Sequence, residues 1–186
     1  MAGSGMAGQE AAGNLRLDFA ADPMAVRRAL QFVVEALEDR GVAADDRALA
    51  EVLLAEVLNN VVEHAYDRRG GWIEIELSVS CLPGPMPGVV PAAVTAGGGG
   101  GRPVAPAVAQ SSRAELGFVV YDWGRALPGG TLPDGRLPPI AAGELPEGGF
   151  GWYLIRALAS DLNHGREGGR NWLRFSLVQE QRAALG

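Results

Sequence analysis

One stretch of predicted helix places acid and amide side chains where they could do chemistry. In Glu56-Val-Leu-Asn-Asn60-Val-Val-Glu-His64-Ala-Tyr66, a rotation of about 100° per residue puts Glu56, Asn60, Glu63 and Asp67 in one sector of roughly 60°, with Asn59 beside it. Ala48, Leu49 and Val52 lie on the same face one and two turns earlier, and the opposite side (Leu54, Leu58, Val61, Val62, Ala65) is also apolar. A helix apolar nearly all round is normally buried. Glu56 and Asn60 then read as polar groups on a mostly buried face, where each atom needs a partner. A carboxylate and a carboxamide one turn apart can ligate a hard cation, and the carboxylate can act as a general base. The bland alternative is a solvated stripe.

Two further segments carry chemistry only in combination. Asp122-Trp-Gly-Arg-Ala-Leu-Pro128 follows a predicted strand. There the Asp could accept a hydrogen bond from a ligand while Gly124 allows close backbone approach, although Asp-x-Gly is also ordinary turn chemistry. Gly148-Gly-Phe-Gly-Trp-Tyr-Leu-Ile155 runs into a predicted helix whose first N–H groups and macrodipole would favour an anion. Gly-x-Gly alone says little in a chain with 27 glycines. His64 and His164 form no metal motif, and His64 beside Ala65 and Tyr66 reads as a structural helix-end residue. The 4 tryptophans read as packing or surface contacts.

Positioning these segments falls to a short list of elements. Asn14–Ala20 alternates as a half-buried strand, and Asp22-Pro23 caps a helix whose apolar residues Val26, Leu30, Val33, Val34 and Leu37 keep helical spacing up to Gly41. A second helix is expected from about Asp45 to Tyr66, then strands at 72–80 and 115–121. Between those strands, residues 82–113 hold 7 Gly and 6 Pro and are expected to be a disordered insertion. A second Gly/Pro-rich loop spans 124–148, a helix 151–162, and short strands 163–166 and 172–178. Residues 1–13 read as a flexible tail, leaving one domain over 14–180.

Composition narrows the function classes. All 16 basic residues are Arg and none is Lys, which excludes the lysine of P-loop NTPases, the strand lysine of ordinary protein kinases, and Schiff-base chemistry. A net charge of −6 argues against direct nucleic-acid or anionic-membrane binding. The single Cys81 permits neither an intramolecular disulfide nor a cysteine metal cluster, and suits a reducing cytoplasm. Residues 1–13, small and polar with no basic residue ahead of an apolar core, do not read as a secretory signal, and no run of about 18 apolar residues is present to cross a bilayer.

Taken in order, Glu56-x-x-x-Asn60 with His64-Ala-Tyr66, Asp122-x-Gly124, and Gly149-x-Gly151 before a helix resemble the GHKL (Bergerat-fold) ATPases. The helix wording and small size are most similar to the anti-sigma-factor serine kinases of bacterial partner-switching systems. The resemblance implies an α+β two-layer sandwich, with a mixed, mostly antiparallel sheet and helices packed on one face. It implies ATP and Mg²⁺ as cofactors. Glu56 would be the general base, Asn60 the Mg²⁺ ligand, Asp122 the acceptor for the adenine amino group, and Gly124 the close-approach residue. Gly149 and Gly151 would offer N–H groups to phosphate, and 124–148 would form a lid over the nucleotide. Without lysine, Arg125, Arg136 or Arg156 would help meet phosphate charge.

Ala126 stands where such proteins often carry a second glycine, Trp152 where leucine is usual, and Gly169-Arg170-Asn171 where a Gly-Thr pair helps hold adenine, with Asn171 the replacement polar contact. The implied activity is a protein serine/threonine kinase that sequesters a regulatory partner. The partner would be a sigma factor, an anti-sigma-factor antagonist or both, and a homodimer is among the assemblies allowed. The alternative is a catalytically inactive ATP-binding interaction module.

Overall fold

The computed structural model describes residues 7–11, 14–82, 113–136 and 150–178. The insertion expected between the central strands, apart from its two end residues, therefore lies outside the described residues, as do Gly149 and residues 137–148 of the expected lid. Strands β1 (Ala7–Ala11), β2 (Asn14–Ala20), β3 (Trp72–Leu82), β4 (Arg113–Asp122), β5 (Ser160–Glu167) and β6 (Arg170–Val178) form one sheet in the order β1-β2-β3-β4-β6-β5. Each described pairing is antiparallel. Helices α1 (Pro23–Asp39), α2 (Ala44–Asn60) and α3 (Phe150–Leu158) cover one face. The result is the expected α+β two-layer sandwich.

Strand alternation decides which face the helices cover. Leu15, Leu17 and Phe19, Ile73, Ile75 and Leu77, Leu116, Phe118 and Val120, and Phe175 and Leu177 are all buried. The register aligns them in rows, Leu15–Leu77–Phe118–Phe175 and Leu17–Ile75–Val120–Leu173. The next row, Phe19–Ile73–Asp122–Asn171, turns polar at its β4 and β6 positions. On the reverse face Glu74 is nonetheless buried, gripped by Arg16 at 2.8 Å and Arg170 at 2.7 Å. The Arg170 guanidinium lies 3.5 Å from the centroid of Tyr121.

Local chemistry starts and stops the helices largely as the sequence dictates. Asp22 Oδ1 accepts from the N–H groups of Met24 (3.0 Å) and Ala25 (2.9 Å), with Pro23 at the first helical position. Gly41, at φ +73°, ends α1 while Val42 N–H returns to Leu37 C=O. Buried Ala25, Val26, Ala29, Val33, Ala36 and Leu37 form its inner stripe.

Three elements depart from expectation. Ala7–Ala11, within the expected flexible tail, pairs with β2, whose edge N–H and C=O groups accept an extended chain whatever its side chains. The second helix is α-helical only to Asn60; Val61–Ala65 form a π turn, closed by Tyr66 N–H to Val61 C=O at 3.1 Å. The last helix stops at Leu158 rather than 162, because Asp161 takes φ +50° and the chain enters β5 through a register shift between Ser160 and Asn163. Leu162, which continued the helical spacing, packs against the core from the strand.

Candidate functional site

The π turn determines which polar residues of the second helix face inward. Adding a residue to the turn rotates everything beyond Asn60. Glu63 therefore points outward to Arg68 (2.7 Å), and Asp67, in the left-handed region at φ +54°, meets Arg69 (3.5 Å) and Arg125 (3.4 Å). Asn59 is exposed. Of the polar stripe read from the sequence, Glu56 and Asn60 remain at the site. Both lie against the start of α3, where a Cβ on Gly151 would come within 2.6 Å of Glu56 Oε2 and 3.5 Å of Asn60 Nδ2. The amide nitrogen of Asn60 is buried and has no hydrogen-bond partner among the described residues. Such an atom costs stability where it stands, and marks a place where a bound group would complete the bonding.

The second part of the site is the turn after β4. Asp122 is buried, and its Oδ1 accepts from Gly124 N–H (2.8 Å) and Asn171 Nδ2 (2.7 Å). Burial pushes the Asp122 carboxyl above its ordinary range, opposed by those two hydrogen bonds and by the charge of Arg166. The π turn clamps this loop from one side: Arg125 donates its N–H to Ala65 C=O (2.8 Å) and a guanidinium N–H to His64 C=O (3.0 Å). Tyr66 completes the clamp. Its hydroxyl donates to Trp72 C=O (2.6 Å) and accepts from Trp123 N–H (2.8 Å), tying the start of β3 to the end of β4. Burial raises the Tyr66 hydroxyl pKa, against the effect of its backbone hydrogen bonds to Trp123 and Trp72. At Gly124 a Cβ would sit 2.5 Å from Ala65 C=O, so the missing side chain admits the end of the helix.

A cavity of about 550 Å³ joins the two parts, lined among others by Asn60, Asp122, Asn171, Arg125, Trp152 and His164. An acceptor carboxylate at one end and an orphaned amide beside a carboxylate and a glycine-started helix at the other suit an elongated ligand with a polar base and an anionic tail. The sequence pattern of the histidine kinase-like ATPase domain family matches residues 19–177.

The chain belongs to the histidine kinase-like ATPase domain family. Membership implies ATP binding. No curated protein matches the chain. Among the described residues, no helix is long and apolar enough to cross a membrane.

Within this ATPase domain, the residues singled out from sequence separate into groups. Asn60, Asp122 and Asn171 line one cavity, and Glu56 and Gly151 stand together beside Asn60. Asn171, expected as a polar contact to the ligand, has its amide nitrogen committed to Asp122 Oδ1 and to Arg125 C=O (3.0 Å). Ala126 is not among the residues at positive φ, so it carries none of the strain a missing glycine would bring. Trp152 is partly buried against the core and lines the cavity.

The three expected arginines also divide. Arg125 lines the cavity beside Asp122, Arg156 is spent on the loop carbonyls of Pro133 (2.6 Å) and Leu132 (3.3 Å), and exposed Arg136 faces Asp134 at 3.8 Å. The described part of the 124–148 loop is thus fastened to α3. It is also fastened to β5, where His164 Nε2–H donates to Gly130 C=O (2.9 Å), the only role open to a nitrogen facing a carbonyl.

Sequence reasoning missed His164 as this anchor, Tyr66 as the clamp, and Arg166. For Arg166 a signal existed. A Gly168-Gly169 turn with both residues at positive φ closes a two-residue hairpin, which places Arg166 directly opposite Asn171.

Proposed function

We propose that this ATPase domain is an ATP-dependent protein serine/threonine kinase that also holds a regulatory protein partner, a sigma factor or its antagonist. The observation that carries the reading is the buried Asn60 amide nitrogen, without a partner among the described residues, beside Glu56 at the glycine start of α3 and in the same cavity as the Asp122 acceptor. Asp122 would accept the adenine amino group. Gly151, and Gly149 outside the described residues, would turn backbone N–H groups toward phosphate at the helix N-terminus.

Asn60 Oδ1 would hold Mg²⁺, an ion that keeps much of its water and takes few protein ligands, while the buried amide N–H, without a partner among the described residues, would donate to a phosphate oxygen. No group of three or more His, Cys, Asp and Glu side chains among the described residues competes for that part. When bound, Mg²⁺ would supply charge neutralisation at the phosphates. Glu56 would hold the proton of the attacking hydroxyl, a contribution on the order of 10²–10⁴ in rate. Asp122 and Asn60 would orient the two ends of the nucleotide, which is most of what phosphoryl transfer asks of a protein.

Glu56→Ala is expected to abolish transfer from γ-labelled ATP to a captured partner while nucleotide still binds by calorimetry. Full transfer in that variant would overturn the assigned base. Nucleotide binding by the wild type, with no transfer to any captured partner, would favour the inactive interaction module instead.

A further inference from the structure

The turn that carries Asp122 is held from its second side by the β5–β6 hairpin, and the holding groups are all of one hydrogen-bond polarity. Arg166 NH1 donates to Gly124 C=O (2.9 Å) and to Asn171 Oδ1. Asn171 Nδ2 donates in turn to Asp122 Oδ1 and to Arg125 C=O. Arginine has only donors and a carbonyl or carboxylate oxygen only accepts, so this chain admits a single orientation of the Asn171 amide. If the amide turned over, its oxygen would face two acceptors and its nitrogen would face a guanidinium.

We infer that Arg166 is a positioning residue that sets base selectivity, locking Asn171 so that Asp122 meets a nucleobase solely as an acceptor. This rests on the nucleotide reading above and adds how the base end is policed. Oδ1 of Asp122 already receives both of its protein donors, and Oδ2 takes no part in either bond. A 6-amino purine offers that oxygen a donor. A 6-oxo purine offers it an acceptor at that position, and the turn, held through Gly124 C=O and Asn171, cannot shift to relieve the clash. Without Arg166, Gly124 C=O and Asn171 Oδ1 both lose their donor, and the turn could shift together with the amide around a 6-oxo base. Arg166 itself is exposed at the cavity rim, and the effect passes through the amide.

The test compares ADP with inosine diphosphate, which differ at the purine 6-position, by calorimetry on the full chain. The wild type is expected to favour ADP by at least about 100-fold. Arg166→Met keeps the stem and removes the donors, and should cut that ratio about tenfold, the worth of roughly one hydrogen bond. Arg166→Lys, which retains donors, should keep more of the ratio than Arg166→Met. Asn171→Ala should match Arg166→Met, and the double variant should fall no further.

A purely structural role would weaken both nucleotides together and leave their ratio alone. A ratio in Arg166→Met within about twofold of wild type, or a double variant in which the losses add, overturns the inference while leaving nucleotide binding intact. If Arg166→Met does not fold, an unchanged ratio in Asn171→Ala overturns it equally. If the wild type binds neither diphosphate, the nucleotide reading fails and this inference falls with it.

Discussion

Gly151→Ala separates the two jobs assigned to the start of α3. The new Cβ would lie 2.6 Å from Glu56 Oε2, and since a carbon–oxygen contact settles at about 3.3 Å or more, the carboxylate must retreat by roughly 0.7 Å. Rigid overpacking would cost about 1–3 kcal/mol. Here, though, the obstacle is the free end of a partly exposed side chain, and alanine inside a helix regains about 0.5–1 kcal/mol over glycine. Net stability should therefore stay within about 1 kcal/mol of wild type. Asn60 Nδ2, at 3.5 Å, remains in ordinary contact, and the backbone N–H of residue 151 is kept.

A misplacement approaching 1 Å at a reacting group costs on the order of 10² in rate. The expected outcome is a roughly 100-fold loss of phosphate transfer, with the nucleotide dissociation constant changed less than about threefold. The assays are transfer from γ-labelled ATP, calorimetry with ADP, and a thermal melt. Wild-type transfer rates in Gly151→Ala, with transfer abolished in Glu56→Ala, would refute the placement of the base. A large drop in melting temperature would refute the packing argument.

Asp122→Asn should trade binding for stability. Losing the acceptor should weaken ADP by about 10–100-fold, the range for a charge-assisted hydrogen bond. Burial makes native Asp122 hold its proton more tightly than the unfolded chain does, so its ionisation at neutral pH subtracts from stability. The variant should melt above wild type at pH 7–8, and the gap should close as pH falls toward the unfolded carboxylate value of about 3.9; a gap that widens in acid would contradict this. Tyr66→Phe keeps the ring and removes the hydroxyl that joins Trp72 to Trp123. It should cost about 1–2 kcal/mol in a denaturant melt and weaken ADP by loosening the Asp122 turn. Gly124→Ala sets a methyl 2.5 Å from the Ala65 carbonyl, where only backbone can give way, and should cost about 1–3 kcal/mol together with nucleotide binding.

Much of this arrangement was legible in the residues themselves. Period-two alternation in 72–80 and 115–121 gave the inner rows of the sheet, and Asp22-Pro23 and Gly41 bounded α1 through capping chemistry local in sequence. Glu56 and Asn60 were singled out because a polar pair on a helix apolar all round demands explanation. Glu63 and Asp67 were misplaced with them, since nothing in Val61–Ala65 announces a π turn. That turn is set by tertiary clamping, with the loop after β4 bonded to Ala65 and His64. The bonds from Asn171 to Asp122 and to the Arg125 carbonyl could not be read from spacing, because those partners lie at the end of β4 and in the loop after it, about 50 residues away. Arg166 was overlooked although the Gly168-Gly169 turn already fixed its cross-strand neighbour. The end of α3 at Leu158 was obscured by Leu162, whose apolar side chain serves helix and strand patterns equally.

The most direct test of the account is a crystal structure of the chain with Mg²⁺ and a non-hydrolysable ATP analogue. The adenine amino group should lie within hydrogen-bond distance of Asp122, with the phosphates between Asn60 and the N-terminus of α3. A nucleotide seated elsewhere, or reversed so that its phosphates meet Asp122, would contradict it.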